Sequence, residues 1–222
     1  MKAFQSVSFD VQKCRTELSE FGELLKKKPT LSEQKDILPF FKTREHLSAF
    51  IGNLNTYNSN YDSVAHELSI FGDFTSDLAV GDKTHHAYCL VEFEDASESS
   101  IFQQTPRHHP DWSKRFEHGF SQLIDWMWKM EDQKPTKAFR DLFGSSTINA
   151  IPMLVIGRSS FLSSSEKERF AWRRNSVSIL GSPVICFTYD ELFDTLQKKA
   201  SFIPAIAGTS SQSVLVSSPK NS

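Results

Sequence analysis

Seven residues constrain this chain more than any others. The run IPMLVIG at 151–157 is almost wholly apolar. A strand of that composition has to be buried on both faces. A sheet covered on both faces needs helices on each side, so the chain reads as α/β. The surrounding pattern agrees. HELSIF (66–71), FTSDLAV (74–80) and HAYCLVEFE (86–94) are short and rich in β-branched and aromatic residues. Gly72-Asp73 and Gly81-Asp82 stand between them as turn signals, which predicts three antiparallel strands. PVICFTY (183–189) predicts a second buried strand.

The helices are legible between these runs. Residues 8–28 carry Leu18, Phe21 and Leu25 near helical spacing and end before Pro29. Thr30 with Glu33 has the form of a capping box, which predicts a second helical stretch through Leu38 and on to Leu54. From Asp111 to Glu131, Trp112, Phe116, Phe120, Leu123, Met127 and Met130 trace one apolar stripe. Residues 136–143 predict a short helix capped by Gly144. Residues 164–175 predict a basic helix, and Thr188 with Glu191 predicts a capped helix through Lys199. The expected architecture is therefore a mixed central sheet flanked by helices. Residues 1–60 form a helical extension, 61–206 the main domain and 207–222 a Ser-rich disordered tail.

Composition narrows the function classes. Residues 1–104 hold 10 Lys+Arg against 16 Asp+Glu, and residues 105–174 hold 12 against 8. An acidic first half beside a basic middle could set carboxylates near a phosphate-attracting surface, although ordinary solvated helix faces give the same count. Cys14, Cys89 and Cys186 are widely separated, which argues against a zinc knuckle or a disulfide framework. The opening MKAFQSVSFD lacks the apolar core of a signal peptide, and no apolar run reaches membrane-spanning length. The expected setting is a reducing cytoplasm.

Asp77, Glu92 and Glu94 are the candidate chemical residues. Glu92 and Glu94 are two apart and so share one face of a strand. A hairpin would bring Asp77 beside Glu92, and converging carboxylates are suitable ligands for Mg²⁺. A solvent-facing strand would also explain alternating Glu, but Asp is depleted in strands, so Asp77 requires a reason. His118, Gln122 and Trp126 recur at i, i+4 and i+8 beside the apolar stripe. Gln122 could hold a carboxylate, a metal-bound water or a phosphate. Arg115, His118, Arg158, Arg169 and Arg173 are the candidate phosphate contacts, although a solvated helix face accounts for the arginines of 164–175 equally well. The adjacent His108 and His109 read as surface residues.

Four blocks carry a resemblance. SDLAVGDKTHHAYCLVEFEDASESSIF, WSKRFEHGFSQLIDWMW, MLVIGRSSFL and VICFTYDELF, in this order and spacing, resemble the nuclease domain of the Shedu family of anti-phage defence proteins. The similar region runs from about Tyr61 to Leu196. The resemblance implies a restriction-endonuclease-like PD-(D/E)xK fold, a Mg²⁺-dependent endonuclease (Mn²⁺ also possible), DNA as partner and a homo-oligomer. It matches Asp77 to the family's sheet aspartate, Glu92 to its strand glutamate and Gln122 to its helix glutamine. Trp126 falls where related nucleases often carry an aromatic residue. The usual lysine of E-x-K is absent, and Glu94 stands in its place. Glu94 would then complete the metal site or act as general base. Two rival readings are a non-catalytic nucleic-acid-binding module on the same fold and a scaffold docking through residues 1–60.

Overall fold

A computed structural model describes residues 3–106 and 109–203; the expected tail at 207–222 and His108 lie outside the described residues. The elements in chain order are β1 (Gln5–Ser6), α1 (Val11–Lys27), α2 (Leu38–Lys42), α3 (Glu45–Phe50), β2 (Ser63–Ile70), β3 (Phe74–Asp82) and β4 (Ala87–Phe93). Then come β5 (Phe102–Gln103), β6 (Asp111–Trp112), α4 (Lys114–Gln133), α5 (Lys137–Phe143) and β7 (Asn149–Val155). The last are α6 (Ser164–Ser176), β8 (Ser178–Ile179), β9 (Ser182–Pro183), β10 (Ile185–Phe187) and α7 (Tyr189–Ser201). Six strands form the main sheet in the order β1-β2-β3-β4-β7-β10. The first four pair antiparallel, while β4–β7 and β7–β10 are parallel. This is the expected mixed sheet.

Two apolar clusters cover its faces. Met153 and Val155 of β7 point into one, with α1, α2, α3 and α7. Ala150 and Leu154 point into the other, with α4 and α5. This is why β7 had to be apolar throughout. The helices of residues 1–60 thus roof one face of the sheet, and β1 extends its edge.

Local chemistry explains several departures from the sequence reading. Ser32, not Thr30, caps the turn that follows α1, accepting from the Lys35 amide. Leu31 instead bridges to Ala96, so the Thr30–Glu33 capping box does not form. The stretch to Leu54 is four short pieces, beginning with a π-helical turn at Glu33–Ile37. Gly81 is not a turn residue: β3 runs through it, and any side chain there would meet the Tyr88 ring at 2.2 Å. β10 is a three-residue edge strand with Ile185 and Phe187 half-buried, rather than a strand buried on both faces. Trp126 does not continue the polar flank of α4 but is fully buried. The caps at Gly144 (φ 77°) and Thr188–Glu191 form as expected.

Candidate active site

Strand register builds the site. Leu78 pairs with Val91, which sets Asp77 opposite Glu92, and His66↔Leu78 with Leu68↔Ser76 sets Glu67 opposite Asp77. Glu67, Asp77 and Glu92 therefore stand in one row across β2, β3 and β4. Glu94 follows two residues on, immediately past β4. All four line one open cavity of about 740 Å³, together with Glu33 and with Arg115, His118 and Gln122 from α4. Ser113 caps α4, accepting from the Phe116 amide, and the first three turns of the helix bring Arg115, His118 and Gln122 to the cavity.

Glu92 and Glu94 are buried, while Glu67 and Asp77 are half-buried. Glu92 is 8% exposed and Glu94 3%. Asp77 accepts the Phe93 amide at 2.8 Å. Glu92 takes a side-chain hydrogen bond from Gln122. The second Glu92 oxygen, Oε2, has no partner among the described residues, and neither has Gln122 Oε1. Desolvation, reinforced by like charges, pushes Asp77 up to about 7 and Glu92 up to about 9. Burial also raises Glu94, against the pull of Arg115. Arg115 Nη1 meets Glu94 Oε2 at 2.7 Å and its Nη2 meets Asp95 at 3.1 Å.

Two acceptors in the pocket lining, Glu92 Oε2 and Gln122 Oε1, thus lack donors among the described residues. That set fits Mg²⁺ or Mn²⁺, which take oxygen ligands and, for Mg²⁺, keep several waters. It is no closed protein cage: among the described residues no three His, Cys, Asp or Glu side chains are gathered closely enough to hold an ion by themselves. The physical reason is that Glu94 is turned to Arg115 and Asp77 to a backbone amide.

Of the expected residues, Asp77, Glu92, Glu94, Gln122, Arg115 and His118 come together. Arg158, Arg169 and Arg173 do not. Arg158, expected at phosphate, is 8% exposed and donates to Asp190 and to the Leu25 and Lys28 carbonyls. It is a strut between the end of α1 and α7. Arg173 makes a two-pronged bond to Glu117 and lies over the Trp112 and Phe116 rings. Arg169 donates to the Pro110 carbonyl. Two acidic lining residues were missed, Glu67 and Glu33. Glu67 has a signal in the strand register. Its φ of +54° is uncommon for a side chain of this kind, and such outliers cluster at functional sites. Glu33 has none, because the sequence pattern fits a helix cap.

An α/β protein with a mixed sheet and an acidic cavity against β2, β3 and β4 is the class these observations define. Within it, the family described as Shedu protein SduA, C-terminal, matches residues 30–193. The chain belongs to the Shedu family, a family of anti-phage defence. No curated protein matches the chain.

Proposed function

We propose that the chain is a metal-dependent DNA endonuclease with a PD-(D/E)xK-type site in an E-x-E form. The observation that carries this reading is the buried Glu92 Oε2, left without a donor beside Asp77 and Gln122 Oε1. A buried, unpartnered carboxylate oxygen is costly unless a cation completes it. Asp77 and Glu92 would hold Mg²⁺, or Mn²⁺ in its place. When bound, the ion supplies an activated water and neutralises charge on the phosphodiester.

The chain's own residues do the rest. Gln122 holds Glu92 in one orientation. Arg115 holds Glu94, which takes the proton of the attacking water. The water oxygen bonds to phosphorus, the bond to the leaving sugar oxygen breaks, and that oxygen takes a proton from solvent. Arg115 and His118, exposed on the cavity rim, contact the DNA backbone. The homo-oligomer implied by the resemblance belongs to the same proposal and is read by light scattering. The deciding experiment is nicking of supercoiled plasmid in Mg²⁺ and in Mn²⁺ by the wild type beside Glu92→Gln. Nicking by the wild type and none by the variant is expected; an inactive wild type in both metals sinks the reading.

One observation favours a second reading, a nucleic-acid-binding module that no longer cleaves. Glu94 is closed onto Arg115, and among the described residues no strand lysine lines the cavity. This reading predicts DNA binding without any Mn²⁺ binding.

A further inference from the structure

The sheet carboxylates are joined in the cavity by one from far away in sequence. Glu33 opens the π-helical turn Glu33–Ile37, a conformation that is rare and frequent at functional sites. Its position is imposed by hydrogen bonds. The Leu31 amide donates to the Ala96 carbonyl at 3.0 Å, and the Ala96 amide returns a bond to Leu31 at 2.8 Å. The Glu33 amide donates to Asp95 Oδ1 at 2.7 Å. These three bonds tie residues 31–33 to residues 95 and 96, immediately beyond Glu92 and Glu94.

The Glu33 carboxylate has one side-chain hydrogen bond and one longer ion pair. It accepts from Gln34 at 2.5 Å and stands 3.8 Å from Arg115 Nη1, past hydrogen-bond length. Its negative charge acts on Asp77, Glu92 and Glu94 together. A second observation points the same way. Glu92, more than nine-tenths buried, leaves Oε2 unpartnered in that cavity. A fold that stitches one more carboxylate beside buried ones is set up for positive charge, and Arg115 is already turned to Glu94 and Asp95.

We propose that Glu33, reaching in from the N-terminal segment, is a positioning residue of the cation site, holding water in the shell of a divalent ion bound by Asp77 and Glu92. The inference rests on the cation reading above. It explains how a site without three gathered carboxylates would still bind an ion. Mg²⁺-type ions use one or two carboxylates and several waters, and the groups that hold those waters set the affinity. It also makes the segment around residue 33 part of the chemical centre.

The test is calorimetric Mn²⁺ binding to the full chain, with thermal melts, for the wild type, Glu33→Gln, Glu33→Asp, Glu92→Gln and the exposed control Glu168→Gln. The expected result is a loss of roughly 10-fold or more in Mn²⁺ affinity for Glu33→Gln, the lower end of what outer-shell partners contribute. Glu33→Asp recovers part of it, Glu168→Gln matches the wild type and Glu92→Gln abolishes binding. The melting temperature of Glu33→Gln without metal stays at or above that of the wild type, because repulsion is removed. Wild-type affinity in Glu33→Gln with loss in Glu92→Gln overturns the role of Glu33 and leaves the cation reading intact. Unchanged affinity with a lower melting temperature assigns Glu33 to scaffolding through Arg115. A wild type that binds no Mn²⁺ overturns both.

Discussion

Arg115 Nη1 lies 2.7 Å from Glu94 Oε2, so the cation beside the E-x-E pair comes from α4 and not from the strand. The strand position that would hold a lysine holds an acid, and the helix above supplies the opposite charge. The pair is asymmetric. Glu94 is almost fully buried, while the Arg115 side chain is 43% exposed. Removing the arginine therefore strands a buried carboxylate, whereas removing the glutamate frees a guanidinium that can still reach water.

Arg115→Ala is expected to destabilise the protein by about 1–2 kcal/mol, less than the ~3–5 kcal/mol of a fully buried broken pair because Arg115 is solvated. DNA affinity should fall, with the salt slope reduced by about 1. Urea melts and binding titrations at several salt concentrations read both effects. An unchanged salt slope would remove Arg115 from the DNA interface.

Glu94→Lys restores the E-x-K spelling but sets an ammonium against Arg115 in a buried position. We expect it to destabilise by about 3–5 kcal/mol, the range of an uncompensated buried charge, and to yield no active enzyme. Glu94→Gln should fold and bind DNA at low salt, since phosphate contacts supply that affinity, while cleavage is lost. Cleavage rates in Mg²⁺ and binding in Ca²⁺ separate the two. Cleavage by Glu94→Gln at the wild-type rate would refute a proton-transfer role.

Stability should fall with rising pH in the absence of divalent ions. Asp77 and Glu92 have folded pKa values near 7 and 9, above their ordinary 3.8 and 4.5. The folded state therefore holds protons that the unfolded state releases first, and stability is lost as pH climbs between about 4 and 9. Melting temperature from pH 5 to pH 9 should decline, and Glu92→Gln should flatten the decline. At pH 8 that variant is expected to gain about 1–3 kcal/mol over the wild type, because it removes a buried carboxyl whose raised pKa costs stability there. A pH-independent difference between the two proteins would contradict this.

Arg158→Ala is expected to cost about 3–5 kcal/mol, because it leaves the Leu25 and Lys28 carbonyls without this donor and Asp190 with only the Ser159 amide. The folded fraction should bind DNA with wild-type affinity. A weakened DNA complex at unchanged stability would return Arg158 to the interface.

Periodicity and turn chemistry carried most of the architecture. The apolar run of β7, the aromatic strands β2 to β4 and the stripe of α4 each report a burial pattern that neighbouring residues alone determine. So do Gly144 at a left-handed cap and Thr188 with Glu191, where cap chemistry acts over three or four residues. Asp77 and the Glu92–Glu94 pair were visible for the same reason: strand alternation sets which face a side chain leaves from.

What the chain alone could not decide involves partners distant in sequence. Arg158 reads as a basic residue at a strand end, yet its neighbours are Leu25 and Asp190. Trp126 reads as one flank of a helix with His118 and Gln122, yet it alone of the three is fully buried, in the cluster between α4 and the sheet. Glu33 reads as a helix cap, yet two backbone bridges to Ala96 carry it to the mouth of the cavity. Local propensity is a property of a few consecutive residues. The acidity of Glu92, the direction of Glu94 and the reach of Glu33 depend on which surfaces meet, and the packing of α4 and the N-terminal segment around the sheet decides that.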